Sequence, residues 1–141
     1  MLLTEIVLLL LLVLAASLAV YRVHLLRQRG TEVVLRSLPA AAGRGWRHGV
    51  LRYSDAELLF FRVSSLRPGP DRSISRSALV VLDRRGPQPP ERDVVPPGSS
   101  VLRFEAGGNE IEVALDEGGL TAFLSWVESS PPGRSRREVP R

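Results

Sequence analysis

The residue type with most chemistry to offer in this chain is arginine. Arg44, Arg47 and Arg52 crowd one short stretch, interleaved with Gly43, Gly45 and Gly49, and Arg62, Arg67, Arg72 and Arg76 follow it. A guanidinium is a flat fork of donors that keeps its charge at any ordinary pH, which suits phosphate and carboxylate. Arg44, Arg47 and Arg52 are therefore the candidate set for holding an anionic group. The competing reading is compositional. All 19 basic residues are arginine, isoleucine is scarce, and alanine, glycine and proline are plentiful, as GC-rich codons produce. Arginines of that origin are mostly solvated surface, and a formal net charge of +4 does not point to nucleic acid as a partner.

Other familiar chemistries find no residues to carry them. The chain has no cysteine, which excludes disulfides, zinc-thiolate sites and cysteine nucleophiles. It has no lysine for a phosphate-binding P-loop. Gly43-x-Gly45-x-x-x-Gly49 is one residue too long for a dinucleotide fingerprint and leads into a strand. His48 has no second ligand at metal spacing and no nucleophile elbow to serve. Asp55 and Glu57 flank a turn, where carboxylates are ordinarily solvated. No catalytic, cofactor-binding or metal-binding residue is therefore expected, and the chain reads as a non-enzyme. Trp126 is the remaining candidate, as the exposed anchor for a partner or as part of a buried helix face.

The elements that must position these residues begin with an apolar run. Leu2 to Tyr21 carries one charge, Glu5, and about 20 residues of helix span roughly 30 Å, the thickness of a bilayer's hydrocarbon core. Arg22, His24, Arg27 and Arg29 follow it, whereas Met1 to Glu5 holds no basic residue. A cleaved signal has the opposite arrangement, although Ser17-Leu18-Ala19 offers small residues for a cut. The expectation is an uncleaved anchor over residues 1–26 with the remainder on the cytoplasmic side, the exported arrangement being the alternative.

Residues 27–130 form the expected domain. Thr31–Leu38 reads as a strand, and Trp46–Tyr53 and Glu57–Val63 as a hairpin about Ser54-Asp55-Ala56. Leu58 and Phe60 alternate with Leu59, Phe61 and Val63, so both faces of that strand need covering. Ser65–Ser77 reads as a loop with Ile74 as its core contact, and Ala78–Asp83 as a strand. Residues 84–100 hold five prolines and read as a mobile connection. Val101–Ala106 and Glu110–Leu115 alternate cleanly about Gly107-Gly108-Asn109, a hairpin with one wet and one dry face. Leu120, Phe123, Leu124 and Val127 then form a helical stripe, and Pro131-Pro132 stops it. Residues 131–141 read as a disordered, arginine-rich tail.

About six strands followed by one amphipathic helix is similar to the order of a pleckstrin-homology-like domain. Gly45-Trp46-Arg47-His48-Gly49-Val50-Leu51-Arg52 and Glu57-Leu58-Leu59-Phe60-Phe61 resemble its second and third strands. The whole chain resembles an actinobacterial membrane-protein family of unknown function, domain of unknown function 2550. Gly45–Val50, Phe61–Pro70 and Leu120–Val127 carry that resemblance. It implies a small antiparallel barrel of about six strands plugged by a C-terminal helix, behind a single anchor helix. It implies no activity. The functional expectation is a non-catalytic, membrane-tethered binding or adaptor module, with the lipid bilayer, anionic headgroups or an integral membrane protein as partner. A regulatory subunit that makes its contact through the anchor itself is a further alternative.

Topology is the first testable consequence. A reporter fused after Val127 is expected to be active only as a cytoplasmic reporter, with the domain protected from external protease until lysis. Activity of an export-dependent reporter would place the domain outside.

Overall fold

The structure, a computed structural model, describes residues 1–28 and 30–129. Helix α1 (Leu2–Gln28) leads into seven strands: β1 (Thr31–Ser37), β2 (Arg47–Tyr53), β3 (Glu57–Arg62), β4 (Arg72–Ser75), β5 (Leu79–Arg85), β6 (Ser100–Ala106) and β7 (Asn109–Leu115). Helix α2 (Glu117–Glu128) follows. The tail expected at residues 131–141 lies outside the described residues.

Within α1, Leu2–Leu25 has a mean hydropathy of 2.7, and none of its most apolar stretch is buried against the rest of the protein. It is long and apolar enough to cross a membrane, rising about 1.5 Å per residue. The strands make one antiparallel sheet in the order β4-β3-β2-β1-β7-β6-β5. Its edges, β4 and β5, do not pair with each other, so the sheet curls into a half-barrel. The strand beyond the expected six is β4, inside the stretch read as a loop. Its backbone pairs with β3, and Ile74 enters the core.

The concave face follows the sequence alternation closely. Leu102 and Phe104 of β6 lie opposite Val113 and Ile111 of β7, and all four are buried. Helix α2 closes over them. Asp116 caps it, its side chain accepting from the Gly119 N–H at 2.6 Å. Phe123 is fully buried, with its ring centroid 5.6 Å from that of Phe104. The buried stripe is Leu120, Phe123 and Trp126, with Leu124 and Val127 at its margins. Two glycines, Gly107 at φ +59° and Gly108 at φ +83°, join β6 to β7. Asn109, expected in the link, is paired with Ala106. Positive φ at both turn residues matches the strands' twist and excludes most side chains.

The convex face departs from the expectation. Residues alternating with the core on β7 were to be wet, yet Glu112 and Ala114 are buried, as is Val101 on β6. The proline-rich segment, expected to be a mobile connection, folds back over them. Val95 packs with Val34, Trp46, Val101 and Ala114. Beside this cluster sits a ring of charge. Arg36 donates to Glu112 at 2.7 Å, and Arg85 donates from both terminal guanidinium nitrogens to Glu91, at 2.8 and 2.7 Å. Arg36 also reaches Glu91 at 3.2 Å, and Arg85 reaches Glu112 at 3.2 Å. Two guanidiniums and two carboxylates cancel, and the Gln88 N–H adds a further bond to Glu91 at 3.0 Å. Glu91 is 0% exposed despite its setting among prolines. The reason is multiplicity: prolines stop the segment from adding a strand, so a side chain rather than a backbone ladder ties it down.

Two predictions follow from these two faces. Phe123→Ala should lower the unfolding free energy of the full chain in detergent by about 3–5 kcal/mol, read by denaturant titration of tryptophan fluorescence. The second concerns Glu91. The bidentate Arg85 fork outweighs the effect of burial and holds its carboxyl below the ordinary 4.5. A depressed carboxyl stabilises the fold at pH values above the ordinary one, and that contribution is lost as pH falls below 4.5 towards the folded-state value. Glu91→Gln should therefore flatten part of the acid limb of the stability profile. It should also cost about 3–5 kcal/mol at neutral pH, because it leaves one carboxylate for the buried Arg36 and the half-buried Arg85.

Candidate functional site

The loop from Leu38 to Trp46, between β1 and β2, and the loop from Val63 to Asp71, between β3 and β4, border one end of the half-barrel. Between them lies a groove of about 710 Å³. Arg47, Arg62, Arg67 and Arg72 line it, with Ser64 and Ser65. The sheet register explains the convergence. Arg62 pairs with Gly49 two residues along from Arg47, and Arg72 pairs with Phe60 two residues before Arg62. Side chains two apart on a strand share a face, so residues far apart in sequence arrive at one mouth.

Gly49 is what lets the strands close up here. A Cβ on it would lie 2.3 Å from Cε2 of Phe60 and 2.5 Å from the Phe61 carbonyl oxygen. Gly43 and Gly45 hold positive φ in the preceding turn. Each of these glycines thus meets a demand of the backbone.

The groove is strongly positive. Asp71 is the one carboxylate that lines it among the described residues, and it is already engaged. Burial pushes its carboxyl up, but hydrogen bonds from the Arg62 N–H and the Ser65 hydroxyl, with the charges of Arg62 and Arg67, outweigh that and hold it below its ordinary value. The Arg62 N–H to Asp71 distance is 2.7 Å. Asp71 thus stays ionised and fixes the β3–β4 loop, while the guanidiniums around it outnumber it. The Nε of Arg62 is buried without a hydrogen-bond partner among the described residues. A buried donor left unpaired costs stability, and an anionic oxygen in the groove would satisfy it.

The candidates expected from sequence are separated by the fold. Of Arg44, Arg47 and Arg52, only Arg47 lines the groove. Arg44 is exposed, its carbonyl accepting from Arg36 at 3.3 Å. Arg52 alternates onto the convex face, where its guanidinium lies 4.9 Å from the Phe61 ring centroid and donates to the Leu25 carbonyl of α1 at 3.4 Å. Arg76 stacks on Trp126 at 4.6 Å and donates to the Ser54 carbonyl at 3.2 Å, a structural role. Trp126, the candidate partner contact, is 9% exposed. Its indole N–H donates to the Ser54 carbonyl at 2.7 Å, and its ring lies 5.5 Å from Tyr53. It completes the plug, because the helix's i, i+3, i+6 positions turn towards the barrel and its polar edge finds a carbonyl there. His48 is exposed on β2, and Glu57 accepts from the Ser73 hydroxyl at 3.0 Å.

Sequence reasoning missed the contribution of Arg62, Arg67 and Arg72 as partners of Arg47. The signal was available only in the register of β2, β3 and β4, and β4 has too few residues to show a period. It missed Glu91 as well, where the Val94-Val95 pair in a proline-rich stretch was the one hint of burial.

Residues 8–133 match the family described as protein of unknown function (DUF2550). An uncharacterized protein of Mycobacterium tuberculosis (strain ATCC 25618 / H37Rv) is 46% identical over 121 residues, covering 83% of this chain and 82% of the relative. An uncharacterized protein of Mycobacterium leprae (strain TN) is 46% identical over 128 residues, covering 87% of each. With an apolar N-terminal helix, a curled β domain and relatives matched over most of their length, the chain belongs to the DUF2550 family.

Proposed function

We propose that this protein is a single-pass, membrane-tethered binding module whose arginine-lined groove takes an anionic headgroup or a like phosphate-bearing group. The observation that carries the reading is the convergence of Arg47, Arg62, Arg67 and Arg72 on a groove with one, already engaged, carboxylate. Chemistry is not part of the proposal. The groove supplies charge and forked donors, and its one lining carboxylate among the described residues, Asp71, is taken up by the Arg62 N–H and the Ser65 hydroxyl. The basic flank of α1, Arg22 to Arg29, supports a cytoplasmic placement of the domain.

Position strengthens the case. Arg22, at the end of the apolar run, donates to the carbonyls of Leu66 and Arg67 in the β3–β4 loop, the loop that borders the groove. A tethered site meets its lipid at high effective concentration, so weak intrinsic affinity is enough. Near an anionic leaflet each arginine contributes about 1 kcal/mol, within a Debye length of about 8–10 Å.

The test uses the fragment beginning at Arg22, which drops the apolar run but keeps the end of α1 that packs over β2 and β3. It is expected to co-sediment with phosphatidylglycerol vesicles at low salt and to be released as salt rises. Replacing Arg47, Arg62 and Arg72 together by alanine should cost about 3 kcal/mol, on the order of a hundredfold in affinity. The same change at Arg44, Arg84 and Arg92, which do not line the groove, should cost much less, with equal melting temperatures as the control. Equal binding to neutral and anionic vesicles would reject the headgroup reading and turn the search to a protein partner.

A further inference from the structure

The β3–β4 loop carries an apolar residue that the fold leaves uncovered. Leu66 is 90% exposed, the most exposed large apolar side chain of the described β domain. Its position is set by the anchor. The Arg22 guanidinium donates to the Leu66 carbonyl at 3.4 Å and also bonds the Arg67 carbonyl. Arginine at the end of an apolar helix ordinarily turns its head towards the headgroups. Here that head is held by loop backbone.

The composition of the helix places this contact. The apolar run ends at Tyr21, and Arg22 is the first charge after it, which places the hydrocarbon boundary at Tyr21 and Arg22. A loop whose backbone is bonded to Arg22 lies at that boundary. The apolar surface is also continuous. Leu18 and Tyr21 of α1 share a cavity of about 390 Å³ with Leu25, Phe61 and Pro68, the last of which is two residues from Leu66. Leu18 and Tyr21 are 60% and 64% exposed on the helix. The apolar surface of the anchor thus meets the loop at Pro68, with the stems of Arg22 and Arg52 lining the same cavity. Arg67 and Arg52 sit beside it, at the level where phosphates would lie.

We infer that the β3–β4 loop is a second membrane contact, with Leu66 set into the boundary between headgroups and acyl chains of the bilayer that α1 spans. The occupant of this exposed surface is the lipid itself. The inference rests on the reading of α1 as a membrane anchor, and it deepens the proposed function by turning the groove's mouth towards the leaflet. Amphipathic surfaces of this kind gain from burying apolar area while neighbouring arginines keep their heads among anionic groups.

The test exploits the absence of cysteine from the chain. Single replacements Leu66→Cys, Leu10→Cys and Leu82→Cys are made in the full chain, labelled with an environment-sensitive fluorophore and reconstituted into phosphatidylglycerol–phosphatidylcholine vesicles. Leu82 is the reference, an exposed apolar residue on the sheet edge β5, far from α1 in the strand order. Lipids brominated along the acyl chains serve as quenchers. The Leu10 and Leu66 probes should both be quenched, with Leu66 quenched several-fold more than Leu82 and shifted to shorter emission wavelength. Quenching at Leu10 with Leu66 no more affected than Leu82 would overturn the inference and leave the anchor standing. An unquenched Leu10 probe would overturn both.

Discussion

The fold depends on one constraint: its sheet is apolar on both faces and closes on neither by itself. Val33, Val34 and Leu35 are buried in succession along β1, and successive residues of a strand point to opposite sides. Each side therefore needs its own cover. Helix α2 supplies the concave one through Leu120, Phe123 and Trp126. On the convex side the cover is divided between Val95 with the segment around it and, over β2 and β3, the end of α1. At roughly 25 cal/mol per Å² of apolar surface, leaving either side open would remove a large share of a small domain's stability.

The buried charge on the convex side is better understood as a device for placement than for stability. An ion cluster of this sort gains little over well-packed apolar side chains, since desolvating four charges offsets most of their attraction. What it does is select a single seat for a segment whose prolines bar regular pairing. Arg36, Arg85 and Glu112 come from the sheet, and Glu91 alone comes from the segment. Arg36 also lies over the Trp46 ring at 4.6 Å, so the same guanidinium links the segment to the loop beside the groove. The β1–β2 loop is thus held from beneath, and the groove is bordered by two restrained loops.

That restraint bears on the functional reading. Binding by a preorganised site costs less ordering than binding by free arginine side chains on mobile loops. Here Asp71 fixes one loop from within, Arg22 ties it to α1, and Arg36 holds the other. Arg47, Arg62, Arg67 and Arg72 face a space that the fold leaves open, with Arg36 at its edge.

By itself the sequence determined the parts whose residues repeat at a period. The apolar run from Leu2, the alternation of Leu102, Phe104, Ile111 and Val113, and the stripe through Leu120 and Phe123 each announce their own secondary structure. Such signals are local, because a period of 2 or 3.6 needs only a strand's or helix's length to be heard. The family resemblance was legible in the same way, through contiguous motifs. Tertiary structure alone decided which arginines meet. Arg44, Arg47 and Arg52 are neighbours in the chain, yet the alternation of β2 and the turn before it send them to different places. Arg47, Arg62 and Arg72 are distant in the chain and converge because antiparallel register aligns them. Glu91 and Glu112 likewise read as solvent-facing charges, one in a proline-rich stretch and one on a strand's wet side. Each is buried only because the other and two guanidiniums arrive with it, and no window of sequence contains all four.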